Sequence, residues 1–180
     1  MPLDRAFTVD GIGTVVAGSI VAGRVRIGDI LALAHEPGRP LRVRSLQSHG
    51  AGVEEAGPGQ RCAIGLVGLA REEVERGHVL CAPAIAQSSQ RLDAWLALAP
   101  GEPRALRSGT RVHLHIGTRR SMATVAILGA AALEPGGEGL AQLVLPTPVH
   151  AWQGDRFVIR DVSASRTIGG GSVLAVDAPS

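Results

Sequence analysis

Turn residues interrupt this sequence so often that little besides short β-strands fits between them. Gly11-Ile-Gly13, Gly23, Gly28-Asp29, Pro37-Gly38, Gly57-Pro-Gly59 and Gly77 punctuate the first half. Between them lie apolar, β-branched runs at 4–9, 14–21, 29–34, 41–48, 61–67 and 78–81. Runs of this kind at turn spacings of about 8–12 residues read as the strands of an all-β barrel. Only Arg71-Glu-Glu-Val-Glu-Arg76 reads as a short helical turn. The pattern pauses at Pro83-Ala-Ile-Ala-Gln-Ser-Ser-Gln90, then resumes at 91–99, 110–117, 122–129, 140–145, 156–161 and 166–176. The expectation is an all-β chain of two tandem six-stranded antiparallel β-barrels. The first spans 1–83, a linker 84–90, and the second 91–177. A Gly-Asp turn feeds an apolar strand once in each half, at Gly28-Asp29 and at Gly154-Asp155.

Two Phe, two Trp and no Tyr leave the core to aliphatic side chains. There is no lysine, and all 18 basic residues are arginine. Coding bias explains that choice, yet it has chemical consequences. A phosphate loop of the Walker type needs a lysine, and Schiff-base catalysis needs one too. No Gly-x-Ser-x-Gly, Cys-x-x-Cys or His-Glu-x-x-His is present, so no catalytic centre is expected in this chain. Gly11-Ile-Gly13 lacks the third glycine and the helix of a dinucleotide fingerprint. A flavin-binding barrel is disfavoured by the missing tyrosine. Cys62 and Cys81 lie in apolar stretches and read as buried small hydrophobes. No apolar run of about 18 residues and no leader is seen, so a cytoplasmic, monomeric protein without membrane contact is expected. Met1-Pro2 and Ala178-Pro-Ser180 read as cut ends of a longer protein.

Net charge is only +2, but the arginines are grouped. Alternation in Leu41-Arg-Val-Arg44 puts Arg42 and Arg44 on one face. That face is either a solvated barrel wall or a phosphate-contacting stripe. Arg104, Arg107, Arg111, Arg119 and Arg120 form a second group on loops and strand ends. With so few aromatics, any nucleic acid would be held through backbone charge and shape, as duplex RNA is. His113 and His115 share a strand face. They are a possible metal pair without a third ligand nearby, or two polar residues on a solvated or interface face. No metal is expected.

Three stretches carry a resemblance. Asp4-Arg-Ala-Phe-Thr-Val9, Gly13-Thr-Val-Val-Ala-Gly18 and Gly23-Arg-Val-Arg-Ile-Gly-Asp29 resemble the second domain of translational GTPases of the elongation factor Tu superfamily. Asp4-Arg5, Gly59-Gln-Arg61 and Phe157-Val-Ile-Arg-Asp-Val-Ser-Ala-Ser-Arg-Thr-Ile-Gly-Gly-Gly-Ser-Val173 are similar to the bacterial selenocysteine-specific elongation factors. Val112-His-Leu-His-Ile-Gly-Thr118 fits their third domain. Elongation factor Tu and initiation-factor gamma subunits are the rival members, and a plain protein–protein interaction module is the rival class.

The resemblance implies binding of selenocysteyl-tRNA and its GTP-dependent delivery to the ribosome at recoded UGA codons. GTP and Mg would sit in a GTPase domain outside this chain, and a messenger-RNA hairpin on a C-terminal domain also outside it. The first barrel would wall the aminoacyl pocket and the second would hold the acceptor and T arms. By the same resemblance Asp4 takes the α-amino group, and Arg5 and Arg61 take the selenolate. Arg42, Arg44, Arg104, Arg107, Arg119 and Arg120 are the candidates for the tRNA backbone.

Overall fold

A computed structural model describes residues 1–176. The expected domain end at Asp177 and the tail Ala178-Pro-Ser180 lie outside the described residues. The chain divides into two compact units, Met1–Gln87 and the part from Ser88 onward.

The first unit holds β1 (Leu3–Val9), β2 (Gly13–Ser19), β3 (Val25–Arg26), β4 (Ile30–Leu33), β5 (Leu41–Ser48), β6 (Ala51–Gly52), β7 (Glu55–Ala56), β8 (Arg61–Val67) and β9 (Leu80–Cys81). Its main sheet runs β1-β2-β8-β5-β4-β9, all antiparallel, with β6 on the end of β5. β3 and β7 form a separate two-stranded ribbon. The two outer strands, β1 and β9, meet through a single antiparallel bridge, Pro2–Val79. Leu3 N–H donates to His78 O (2.8 Å) and Leu80 N–H to Met1 O (3.0 Å) on either side of it. The six-strand circuit is thereby completed without a full ladder. In β5 Leu41 and Val43 are buried while Arg42 and Arg44 are exposed, but the register against β8 shifts between Val43 and Ser45, so the alternation changes phase there and Leu46 is the next buried side chain.

The second unit holds β10 (Ser89–Leu98), β11 (Leu106–Arg107), β12 (Arg111–Ile116), β13 (Arg119–Ile127), β14 (Ala132–Leu133), β15 (Glu138–Val149), β16 (Arg156–Arg160) and β17 (Thr167–Val176). Its ring is closed in the order β10-β15-β13-β12-β16-β17, with β17 returning to β10 along a full ladder. Leu92, Leu96, Leu114, Leu143 and Ile159 fill the middle. The aromatic contribution to this core is Phe157. Gly169, Gly170 and Gly171 are needed where strands crowd. A Cβ on Gly171 would lie 1.9 Å from the Trp95 carbonyl oxygen, and one on Gly169 2.4 Å from that of Ala97.

Several boundaries depart from expectation. β15 continues through Pro146 and Pro148 to Val149, although prolines usually end a strand. It can do so because the β10 register shifts between Ser89 and Arg91 just there, and a break in the ladder tolerates residues without an N–H. β13 starts at Arg119, because Gly117-Thr118 alone turns the hairpin and Gly117 has a φ of 54°. Arg119 and Arg120 are therefore strand residues. β10 already includes Ser89 and Gln90, and Pro83–Ile85 forms a 3₁₀ turn. The helical turn expected at 71–76 is a 3₁₀ turn over Arg71–Glu73. The two-residue strands β3, β6, β7, β11 and β14 are too short to show any alternation. Cys62 and Cys81 are buried free thiols, and burial pushes both above the usual thiol range.

Candidate functional site

Asp4 stands where the β1 register breaks. Leu3 lies opposite Gly18 and Arg5 opposite Ala17, so Asp4 is the extra residue of a bulge. A bulge re-aims a side chain out of strict alternation. The Asp4 carboxylate meets the Arg61 guanidinium with both oxygens, Arg61 Nη2–H donating to Oδ1 at 2.9 Å and Nη1–H to Oδ2. Arg61 opens β8 and is held in place by the turn before it. There Gly57 N–H donates to Gln60 Oε1 (2.6 Å), Gly59 N–H to Ile20 O (2.8 Å) and Ile20 N–H to Gln60 O (3.0 Å).

Arg5 is exposed, and its side chain makes no hydrogen bond among the described residues. Arg76, for which the sequence offered no signal, adds a third cation. Gly77 N–H donates to Leu3 O (3.1 Å), tying the Arg76 turn to the start of β1. The Arg61 hydrogen bond holds the Asp4 carboxyl below its ordinary value, against a smaller opposing effect of burial. The fields of Arg61, Arg5 and Arg76 add to the lowering. Arg61 is shifted up by the same pairing. Three cations thus converge on one carboxylate, leaving the cluster positive. Such a cluster can take a ligand that presents an ammonium to Asp4 and an anion to the arginines.

The other arginines are dispersed. Arg42 and Arg44 are exposed on β5. In the second unit, Arg104 and Arg111 line a cleft of about 210 Å³ with Glu102, Thr110, Asp161 and Arg166. Arg166 Nη1–H donates to Glu102 Oε1 at 2.6 Å. Asp161 is held by its own loop, accepting from the Ser165 and Arg166 backbone N–H groups (2.8 and 3.0 Å) and from both serine hydroxyls. Hydrogen bonds from Ser163 and from the backbone of Arg166 keep it far below the usual carboxylate range. Arg107 stands apart on β11, exposed. Arg119 and Arg120 face Ile116 and His115 across the β12–β13 hairpin. His113 Nε2 hydrogen-bonds to the Val162 carbonyl (3.0 Å). No group of three or more metal-ligating side chains occurs among the described residues, and no helix is long and apolar enough to cross a membrane.

Comparison with known proteins identifies these two consecutive antiparallel barrels as the barrel part of a translation factor. The family profile described as elongation factor Tu domain 2 matches residues 13–81. That described as selenocysteine-specific elongation factor, beta-barrel domain, matches residues 90–180. The chain belongs to the selenocysteine-specific elongation factor family. It is 36% identical over 174 residues to the selenocysteine-specific elongation factor of Desulfomicrobium baculatum, covering 97% of this chain and 27% of that protein. It is 33% identical over 184 residues to that of Escherichia coli, covering 99% and 27%. The crystal structure of translation elongation factor SelB from Methanococcus maripaludis, apo form, superimposes with a TM-score of 0.82 at 27% identity. That match covers 98% of this chain and 42% of the other. The chain therefore spans about a quarter of the length of the curated relatives it matches.

Proposed function

We propose that this chain is the part of a selenocysteine-specific elongation factor that grips selenocysteyl-tRNA during its GTP-dependent delivery to the ribosome at recoded UGA codons. The observation that carries the reading is the Asp4–Arg61 pair with Arg5 and Arg76 around it. A selenol is more acidic than a thiol, whose reference pKa is about 8.5. Esterified selenocysteine therefore arrives with an ammonium and an anionic side chain. Asp4 accepts from the α-amino group, and Arg5 and Arg61 donate to the selenolate. A seryl end leaves Arg5 without an anion and Arg61 resting on Asp4, and a charged hydrogen bond is worth roughly 1.5–3 kcal/mol.

The second barrel supports the stem of the same tRNA. Arg104 and Arg111, which line one cleft, are the best-placed phosphate contacts, with Arg107 on β11, Arg119 and Arg120 on β13, and Arg42 and Arg44 on the first barrel as further, separate ones. The sequence has no lysine and, among the described residues, no glycine-rich loop opens a helix, so the cradle for GTP and Mg is assigned to another part of the full-length factor. Nucleotide hydrolysis belongs to another part of the full-length factor, as does contact with the messenger-RNA hairpin. The working form is a cytoplasmic monomer of which 1–83 is the aminoacyl-end barrel and 91–177 the stem barrel.

Chemical footprinting of selenocysteyl-tRNA tests the pocket. Protection of the acceptor end is expected from the parent chain and is expected to vanish in Arg5→Ala/Arg61→Ala. Full protection by the double variant would overturn the assignment.

A further inference from the structure

Asp4 and Arg61 already satisfy each other. Both carboxylate oxygens accept from the two terminal nitrogens of the guanidinium. A forked pair of this kind uses the same donors that would meet a ligand anion and the same acceptors that would meet an ammonium. Arg5, by contrast, is exposed, and its side chain makes no hydrogen bond among the described residues. The cluster thus holds one ready cation, Arg5, and one that is closed on Asp4.

Little nearby is able to take the place of Arg61. Arg5 and Arg76 act on the Asp4 carboxylate through their fields, whereas the direct bond comes from Arg61. The turn that carries Arg76 is fixed to β1 by the Gly77–Leu3 hydrogen bond. Arg24 and Arg26, on the ribbon whose strand β7 leads into the Gly57–Gln60 turn, are both committed to Glu55. If the Arg61 guanidinium turns away, a carboxylate whose side chain is only 26% exposed loses its hydrogen-bonded counter-ion. A partly buried charge left without a partner is costly. Arg61 is the mobile member of the pair, with 53% of its side chain exposed, so a rotation of that side chain alone opens it.

We propose that the Asp4–Arg61 pair is an exchange lock: Arg61 leaves Asp4 for a ligand anion only when the same ligand brings an ammonium to replace it on Asp4. The lock rests on the pocket reading above and deepens it, because it makes the two charges of the aminoacyl end act together. An end with an ammonium and an anionic side chain leaves the charges in complementary pairs. An end with the anion alone is met by Arg5, while Arg61 stays on Asp4. An end with the ammonium alone shares Asp4 with Arg61 and gains nothing from the guanidinium. Selectivity for a zwitterionic end then contains a coupling between two ligand groups, in addition to the Arg5 contact.

The test is binding of the chain to four tRNAs: selenocysteyl- and seryl-tRNA, each with a free and with an acetylated α-amino group. The quantity read is the ratio of the selenocysteyl affinity to the seryl affinity, with the amine free and with it blocked. The bulk of the acetyl group is common to both ends and cancels when the two ratios are compared. In the parent chain the ratio is expected to fall about fivefold on acetylation, the worth of a partly exposed ion pair. In Asp4→Asn, Arg61 is free for the anion from the start. The ratio is then expected to be the same with the amine free or blocked, and N-acetylselenocysteyl-tRNA to bind the variant more tightly than the parent. If acetylation leaves the parent's ratio unchanged, or if its fall persists in Asp4→Asn, the lock is overturned and the pocket reading stands. A parent chain that binds none of the four, or binds selenocysteyl- and seryl-tRNA equally, overturns the lock and the pocket reading together.

Discussion

In the second unit every strand of the ring has a ladder on both sides, whereas in the first β1 and β9 are joined by the single Pro2–Val79 bridge. A fully closed ring has no exposed edge, and its geometry is shared out among all its strands. An edge strand has a ladder on one side only, and a bulge is tolerated there most readily. Asp4 occupies such a bulge on β1, which brings its carboxylate to Arg61 on β8, two strands away. The less completely closed barrel is thus the one that carries the candidate aminoacyl site. The fully laddered barrel offers a stiff surface on which dispersed arginines keep their spacing.

Glycine substitutions press hardest on this contrast. Gly171 and Gly18 both lie under a backbone carbonyl: a methyl at Gly171 would stand 1.9 Å from Trp95 O, and one at Gly18 2.1 Å from Pro2 O. Gly171→Ala is expected to cost about 3 kcal/mol or more, because both neighbouring strands are fixed in ladders. Gly18→Ala is expected to cost about 1–2 kcal/mol, because the Pro2 segment is free to move at the cost of its bridge. Urea unfolding measures both, and a larger loss at Gly18 would break the comparison. Leu114→Ala, at the centre of the ring, is expected to cost about 3 kcal/mol by leaving a cavity.

Acid acts on the two units in different windows. His115 has a folded pKa below its ordinary 6.5, so its contribution is complete above pH 6.5 and is lost as pH falls through the lowered value. Both tryptophans, Trp95 and Trp152, belong to the second unit, so their fluorescence follows that unit alone. The midpoint they report is expected to fall on acidification below 6.5, and His115→Leu is expected to flatten that fall. In the first unit Glu73 pairs with Arg39 at 2.6 Å, and chiefly by that bond is held at about 2 against an ordinary 4.5. Its contribution is present above pH 4.5 and disappears as pH falls towards 2. Amide exchange in β5 is expected to show this later loss, and Glu73→Gln to remove it. The smallest effect is expected from Asp4→Asn. Its pair is partly exposed, so the unfolding midpoint hardly moves, while the affinity for an aminoacyl end that presents an ammonium falls.

Much of the fold was legible because its signals are local. Val112, Leu114 and Ile116 alternate with His113 and His115, and the structure buries the first set only. Turn residues located most strand ends to within a few positions. Signals that depend on a partner strand were not legible. Pro146 and Pro148 look like terminators until β10 is seen to break register beside them. The Gly169–Gly171 run was recognisable only as a family likeness, and its cause is the close approach of carbonyls on both neighbouring strands, those of Ala97 and Trp95 on β10 and of Phe157 on β16. Asp4, Arg5 and Arg61 were named from resemblance, but their meeting depends on the bulge and on the Gly57–Gln60 turn. Arg76 had no local signal at all, since only the Gly77–Leu3 hydrogen bond brings its turn to the site.

Filter binding of the chain to seryl-, cysteyl- and selenocysteyl-tRNA tests the charged pocket most directly. One charged hydrogen bond, gained by Arg5 from the selenolate and unmet by serine while Arg61 rests on Asp4, corresponds to a preference of roughly 10–10². Selenocysteyl-tRNA is expected to bind tightest by that margin over seryl-tRNA, and Arg5→Ala/Arg61→Ala to erase the difference. Equal affinity of the parent chain for all three would contradict the assignment of Asp4, Arg5 and Arg61.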